Sequence, residues 1–195
     1  PLGVLLENAL VLDPIPNDVR TALEGLGVAR ALRVSLLFRD AFWDDDTSFI
    51  QCDDEFFPTW WTAYPVRTPL LTLWAGGPCA DRLALLDDEA RIDRALKTIE
   101  EQVGMDVAMV VHAWSHDWQR DPFTRGAYSF RRVGGVDVSR ALQRSFAPLF
   151  FAGEHTIDAD RAGTVDGALL TGERAAEQSL RFLSRGEPVA TEHPR

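Results

Sequence analysis

Lysine is almost missing from this chain. Of the 20 Lys and Arg residues, set against 30 Asp and Glu for a formal net charge of -10, only Lys97 is a lysine. Proteins that grip a phosphate backbone concentrate Lys and Arg, so nucleic acid is excluded as an expected partner. Cysteine is scarce too: Cys52 and Cys79 follow no metal or redox spacing, and no charged-apolar-small leader opens the chain. A reducing, cytoplasmic setting is the expectation. Apolar runs are short, the stretch from Leu32 to Phe38 being broken by Arg33, and none approaches the roughly 20 residues a membrane helix requires. No Gly-x-Ser-x-Gly elbow occurs, which leaves a hydrolase reading without an anchor. His112 and His116 stand four apart in a strand-like run with no third ligand, so no metal site is expected.

What is present suffices for a core. Hydrophobic residues make up 46% of the 195 positions, a globular proportion. The acidic runs Asp44-Asp45-Asp46, Asp53-Asp54-Glu55 and Asp87-Asp88-Glu89 read as solvated loops and a helix start. The opening Pro1-Leu2-Gly3-Val4-Leu5-Leu6 reads as a strand already under way, which makes the chain look like a fragment.

Asn17-Asp18 should cap a short helix bearing Val19, Ala22, Leu23 and Leu26 on one face. From Arg30 to Arg39 the pattern alternates, with Leu32, Val34, Leu36 and Phe38 on one side, as a half-buried strand demands. Phe49-Ile50, Phe56-Phe57 and Trp60-Trp61 are short β-prone pieces, and further strands are expected at Pro69 to Trp74, Met109 to Trp114 and Leu149 to Ala152. Ile92, Leu96, Ile99 and Val103 form one stripe of a helix from Asp88 that stops at Gly104. A last helix runs from about Gly163 to Leu183, and Gly186 to Arg195 reads as a flexible tail. Strands separated by single helices and long crossings imply an α/β or α+β class, with a mixed sheet flanked by helices.

The segment with the most chemical content is Leu149-Phe150-Phe151-Ala152-Gly153-Glu154-His155-Thr156, where a buried strand runs into a glycine and a carboxylate. Ten residues on, Gly163-Thr164-Val165-Asp166-Gly167-Ala168 opens a helix in which Gly163, Gly167, Thr171 and Ala175 recur every fourth position. The nearly bare face lets a backbone or a flat ligand come close, and the helix start favours electron-rich atoms. The residues alone leave two readings open. Either a ligand edge meets this helix start, or the small residues serve helix packing and Glu154 is a local cap.

These two stretches, ending Gly-Ala-Leu-Leu-Thr-Gly-Glu-Arg-Ala-Ala, resemble the C-terminal flavin signature of the flavin-dependent amine oxidase family, which includes monoamine oxidases, polyamine oxidases and lysine-specific histone demethylases. Pro1 to Leu5, Leu32 to Trp43 and Trp114 to Phe130 are similar to further family stretches in the expected order. The resemblance implies three segments: 1–115 as part of a substrate-binding domain, 116–185 as the C-terminal part of an FAD-binding domain and 186–195 as tail. It places Trp118, Gly153, Glu154, Gly163, Thr164, Val165 and Ala168 around FAD, with Glu154 on the ribityl or phosphate part and the Thr164 and Val165 backbone at the pyrimidine edge. Tyr128 falls where the family has an aromatic wall over the substrate amine. His155 reads as local structure.

Three departures qualify the match. Ala127 replaces the cysteine that monoamine oxidases link to flavin, so the FAD is expected to be non-covalent. Thr164 replaces a second aromatic wall, which widens the site. Arg33 stands ten residues before Trp43 at the usual position of a Lys that holds a water against the flavin, and a guanidinium cannot release its proton near neutral pH; alternatively, Arg33 simply points to solvent. Arg33, Tyr128 and Thr164 are thus the catalytic candidates.

By resemblance the activity is oxidation of an amine C–N bond to an imine by hydride transfer to flavin, with oxygen giving hydrogen peroxide. A polyamine-like or other extended amine suits the open wall. The alternatives are an L-amino-acid oxidase type of the same superfamily and a catalytically incomplete structural or interaction module. The last is suggested because no Gly-x-Gly-x-x-Gly occurs, the loop that holds the FAD pyrophosphate. A dinucleotide-binding N-terminal half would then be the missing partner, and the apolar surface it leaves could drive self-association.

Overall fold

The computed structural model describes residues 1–185 apart from Asn8, Asp13, Pro14, Met105, 135–137 and Ser145, so the expected tail, 186–195, lies outside the described residues. The chain forms two compact units. One is the continuous stretch Arg30–Asp121; the other joins Pro1–Ala29 to the described residues from Pro122 onward. The segments read from sequence, 1–115 and 116–185, are therefore not the compact units: the break falls six residues later than 115, and the first 29 residues pack with the C-terminal part.

The Arg30–Asp121 unit is built on strands β2 (Ala31–Phe38), β3 (Phe49–Gln51), β4 (Thr59–Thr62), β5 (Leu70–Gly76) and β6 (Val110–Asp117), with helices α3 (Pro78–Leu83) and α4 (Asp88–Val103). The strand order is β3-β4-β5-β2-β6 and every pairing is antiparallel, so the α/β (α+β) class stands while the expected mixed sheet is antiparallel throughout. The alternation in β2 does what its period dictates: Leu32, Val34, Leu36 and Phe38 are buried with Leu71 and Leu73 of β5 against Phe57, Trp60, Leu83, Ala95 and Ile99. Each such aliphatic side chain contributes about 1.5–3 kcal/mol by leaving water. Asp87 caps α4 by accepting the Ala90 N–H at 2.9 Å. Under the sheet, the fully buried Arg91 donates to Asp117 at 3.1 Å, Asp88 at 2.8 Å and the Leu83 carbonyl at 3.0 Å, which ties α4 to β6 and α3.

Phe56-Phe57 is not a strand. The Asp54 carboxylate accepts both backbone N–H groups, at 2.9 and 2.7 Å, and holds them in a turn. Burial pushes the Asp54 carboxyl up, but the Phe57 and Phe56 N–H groups and the Arg94 guanidinium outweigh it and hold it below its ordinary value.

The second unit contains α1 (Leu2–Leu6), α2 (Asn17–Glu24), the ribbon β1 (Leu26–Val28) with β7 (Ser129–Arg131), α5 (Val138–Gln143) and α6 (Val165–Arg185). The opening residues are helical rather than the expected strand: Leu2 and Gly3 are buried, and an apolar run this short folds as helix when no strand lies beside it to pair with. For the same reason Leu149 to Ala152 is not a strand. Only an isolated bridge, Phe146 to Leu149, forms there, and among the described residues no strand runs alongside. Leu2, Val19, Leu23, Leu26, Leu142 and Phe151 make this unit's core. No helix among the described residues is long and apolar enough to cross a membrane.

Candidate functional site

Glu154 opens a short 3-10 turn, Glu154–Thr156, and its carboxylate joins three pieces of the second unit. One oxygen accepts the Ser129 N–H at 2.9 Å; the other accepts the Ser129 hydroxyl and the Gly163 N–H, each at 2.7 Å. The start of β7, next to Tyr128, is thereby fixed to the turn that launches α6. At that turn Gly163 has φ 77, a left-handed conformation that a side chain would strain. Thr164 follows as the cap: its hydroxyl accepts the Gly167 N–H at 3.1 Å and donates to the Arg161 carbonyl at 2.6 Å. Thr164 is exposed and Val165 is 78% exposed, so the first turn of a 21-residue helix, where backbone N–H groups lack partners inside the helix, faces open space.

Behind this opening the small residues serve packing. A Cβ on Gly167 would run into the Arg161 carbonyl and lie 3.2 Å from the Ile157 side chain. The Thr171 hydroxyl accepts the Gly153 N–H at 3.0 Å and shares its one proton between the Ala168 carbonyl at 2.9 Å and the Gly153 carbonyl at 3.2 Å. Gly153 and Ala168, expected at the cofactor, are thus held from inside the protein, the Ala168 carbonyl by the Thr171 hydroxyl at 2.9 Å. Arg174 donates to the Phe151 carbonyl at 2.8 Å and the Thr156 carbonyl at 3.0 Å, pinning the segment that carries Glu154 to α6. Sequence reasoning missed Ser129 and Arg174, and placed Thr171 on the helix face without its bonds to Gly153; the one available signal for Arg174 was an arginine beside a face that otherwise carries small residues. His155 is buried, and burial pushes its imidazole down to about 4, against a partial upward pull from Glu154. Burial thus favours the neutral form of this imidazole.

Tyr128 is 39% exposed; its carbonyl accepts the Ala29 N–H at 2.8 Å, and the neighbouring Ala127 offers no nucleophile. Tyr128, Glu154, Gly163, Thr164 and Val165 therefore all belong to the second unit. Arg33 and Trp118 belong to the Arg30–Asp121 unit, where the exposed Arg33 guanidinium lies over the Trp118 ring at 5.4 Å and the His116 ring meets Trp118 edge-on at 4.2 Å. Among the described residues no group of three or more His, Cys, Asp or Glu is placed to hold a metal ion.

The family model described as flavin containing amine oxidoreductase matches residues 1–180. Lysine-specific histone demethylase 1 homolog 2 of Arabidopsis thaliana is 30% identical over 197 residues, covering 94% of this chain and 26% of the relative. Polyamine oxidase 3 of Oryza sativa subsp. japonica is 30% identical over 194 residues, covering 95% and 39%. In fold, a putrescine oxidase with redesigned cofactor binding superimposes with a TM-score of 0.77 at 18% identity over 93% of this chain and 41% of that one; wild-type putrescine oxidase bound to putrescine gives 0.76 at 19% over 95% and 41%. The chain thus spans a quarter to two-fifths of the length of these relatives. With its family match over residues 1–180, the chain belongs to the flavin-containing amine oxidoreductases.

Proposed function

We propose that this chain supplies the flavin-edge helix and part of the substrate wall of an FAD-dependent amine oxidase that takes a C–N bond to an imine. The observation that carries the reading is the exposed start of α6 at Thr164 and Val165, launched by Gly163 and braced by Glu154. The residues present fit a flavin. A left-handed glycine with nothing within 4 Å of where its Cβ would stand leaves room for a flat edge, and first-turn N–H groups suit the electron-rich atoms of a pyrimidine ring. When bound, the flavin would accept a hydride from the carbon beside the amine nitrogen and pass its electrons to oxygen, giving hydrogen peroxide.

The chain's own residues position and exclude. A carboxylate has about four acceptor sites, and Glu154 has filled three from the protein. The remaining site suits a donor such as a ribityl hydroxyl and not an anionic phosphate. Ala127 leaves the cofactor without a covalent bond, Tyr128 offers one aromatic wall, and Thr164, a cap of small volume, leaves the opposite wall open. The dinucleotide-binding loop would come from residues outside this chain, consistent with the greater length of the relatives. A cytoplasmic, reducing setting belongs to the same proposal, supported by free Cys52 and Cys79.

The test uses the longest natural chain that carries this sequence, saturated with FAD and dialysed. Retained flavin absorbance, released into the supernatant when the protein is denatured, is the expected result. Absence of bound flavin, or flavin that stays attached to the denatured chain, contradicts the proposal.

A further inference from the structure

The outward face of the five-stranded sheet carries an uneven distribution of charge. Acidic residues outnumber basic ones 30 to 20 in the chain, yet the face opposite the core presents no carboxylate on any of its strands. Alternate residues point there: Arg33, Ser35 and Leu37 of β2 stand between Leu70, Thr72 and Trp74 of β5 and His112, Trp114 and His116 of β6. Beyond β5 the face continues through Trp61 and Phe49, again aromatic. The acidic residues of this unit lie in loops, on α3 and α4, and at the end of β6, where Asp117 is buried.

Arg33 is the one permanent cation on these strands, and among the described residues it pairs with no carboxylate. Its guanidinium is held over the Trp118 ring at 5.4 Å, which steadies it without neutralising it. Beside it, the His116 Nε2 is shut off from solvent and has no hydrogen-bond partner, a condition buried polar atoms seldom keep. Arg33, Ser35, Trp114 and His116, with Leu37 and Leu70, line a groove of about 520 Å³. A guanidinium without a carboxylate partner at one end, with aromatic and aliphatic walls at the other, complements a carboxylate attached to an apolar body.

We infer that this groove binds an amine that also bears a carboxylate on an aromatic or aliphatic body, in the manner of an apolar amino acid, and not a polycationic amine. Arg33 takes the carboxylate as a bidentate partner, and Leu37, Leu70 and Trp114 take the side chain. A polyamine would bring two or more positive charges to a face with one positive charge and no negative one. The inference names the substrate class for the amine-oxidising reading and rests on it.

L-Phenylalanine and phenethylamine differ only in the carboxylate, which makes them a direct pair of probes. Binding to the longest natural chain carrying this sequence is followed by tryptophan fluorescence, with spermidine as the polycation. L-Phenylalanine should bind at least about tenfold more tightly than phenethylamine, and spermidine more weakly than either. In Arg33→Gln the preference for L-phenylalanine should collapse to about that of phenethylamine, while Arg39→Gln, an exposed arginine outside the groove, keeps it. Equal binding of the two probes, tighter binding of spermidine, no binding of any, or an unchanged preference in Arg33→Gln each overturns the inference. A protein that holds flavin and oxidises spermidine would sink this inference and leave the amine-oxidase reading standing; one that binds L-phenylalanine at Arg33 but retains no flavin would do the reverse.

Discussion

The two units solve the problem of burying a core in different ways. Arg30–Asp121 is one continuous stretch whose sheet closes its inner face with its own helices, around Leu32, Leu36, Leu71, Leu73 and Ile99. The other unit draws Leu2, Val19 and Leu26 from one end of the chain and Leu142 and Phe151 from the other, and its longest helix leaves Val165, Leu169, Leu180 and Leu183 exposed. The unit that carries the flavin signature adds to this core a set of polar ties around its site, Glu154 to Ser129 and Gly163, Arg174 to Phe151 and Thr156. The other is held by apolar burial and by the ion pairs of Arg91 with Asp117 and Arg94 with Asp54. A site whose floor is fixed by hydrogen bonds can be disturbed without dissolving a core, and that contrast can be tested.

The largest effect belongs to the first unit. Arg91→Leu takes away the fully buried partner of Asp117 and leaves it the exposed Arg120 at 3.6 Å and the Gln119 N–H, and a loss of about 3 kcal/mol is expected in the stability of Arg30–Asp121, read by hydrogen exchange resolved to that stretch. If exchange slows or stays as it was, the ion pair is not what anchors α4 to β6. In the second unit, Glu154→Ala removes three hydrogen bonds to one carboxylate. A loss of about 1.5–3 kcal/mol should appear as faster exchange at Ser129 and Gly163 and weaker flavin retention, with Arg30–Asp121 unmoved. Gly167→Ala forces a methyl group against the Arg161 carbonyl and should cost about 1–3 kcal/mol, seen as a lower melting temperature; an unchanged one would mean that α6 does not pack there as described.

Acidification should separate the units further. The His155 imidazole titrates near 4 in the folded protein and at its ordinary 6.5 when unfolded, so below 6.5 the unfolded chain binds the extra proton. Stability from this group is present above 6.5 and is lost as pH falls towards 4. In Arg30–Asp121 the carboxyl held low is Asp54, whose contribution is present above the ordinary carboxylate range and lost only at lower pH. Hydrogen exchange between pH 7 and 4.5 should therefore quicken in the unit of His155 first, and simultaneous loss in both would remove this distinction. The smallest expected effect is kinetic: Arg33→Lys should speed flavin reoxidation by oxygen, since a lysine can release a proton and an arginine cannot. An unchanged rate counts against the role that resemblance implies for Arg33.

Much of this was legible in the residues. The alternation of Leu32, Val34, Leu36 and Phe38 and the stripe of α4 were readable because burial repeats with the period of the element. Pro1 to Leu6 and Leu149 to Ala152 were misread because a strand depends on a neighbour that a local pattern does not contain. Phe56-Phe57 was lost to the Asp54 side chain, a short-range bond that overrides β propensity. At the site, Glu154, Gly163 and Thr164 were legible from their motif. Their partners were not, because Ser129 lies 25 residues from Glu154 in sequence, and nothing in a serine announces that distance. The small stripe on α6 admitted both readings, and the structure gives Gly167 and Thr171 to packing while the helix start at Thr164 and Val165 stays open.

The most direct measurement is the absorbance of flavin bound to the longest natural chain carrying this sequence, followed without oxygen as an amine is added. Bleaching of the bound flavin by the amine, with colour restored when oxygen is admitted and hydrogen peroxide formed, is the predicted result. A bound flavin that no amine bleaches, whether amino acid, monoamine or polyamine, would contradict the account.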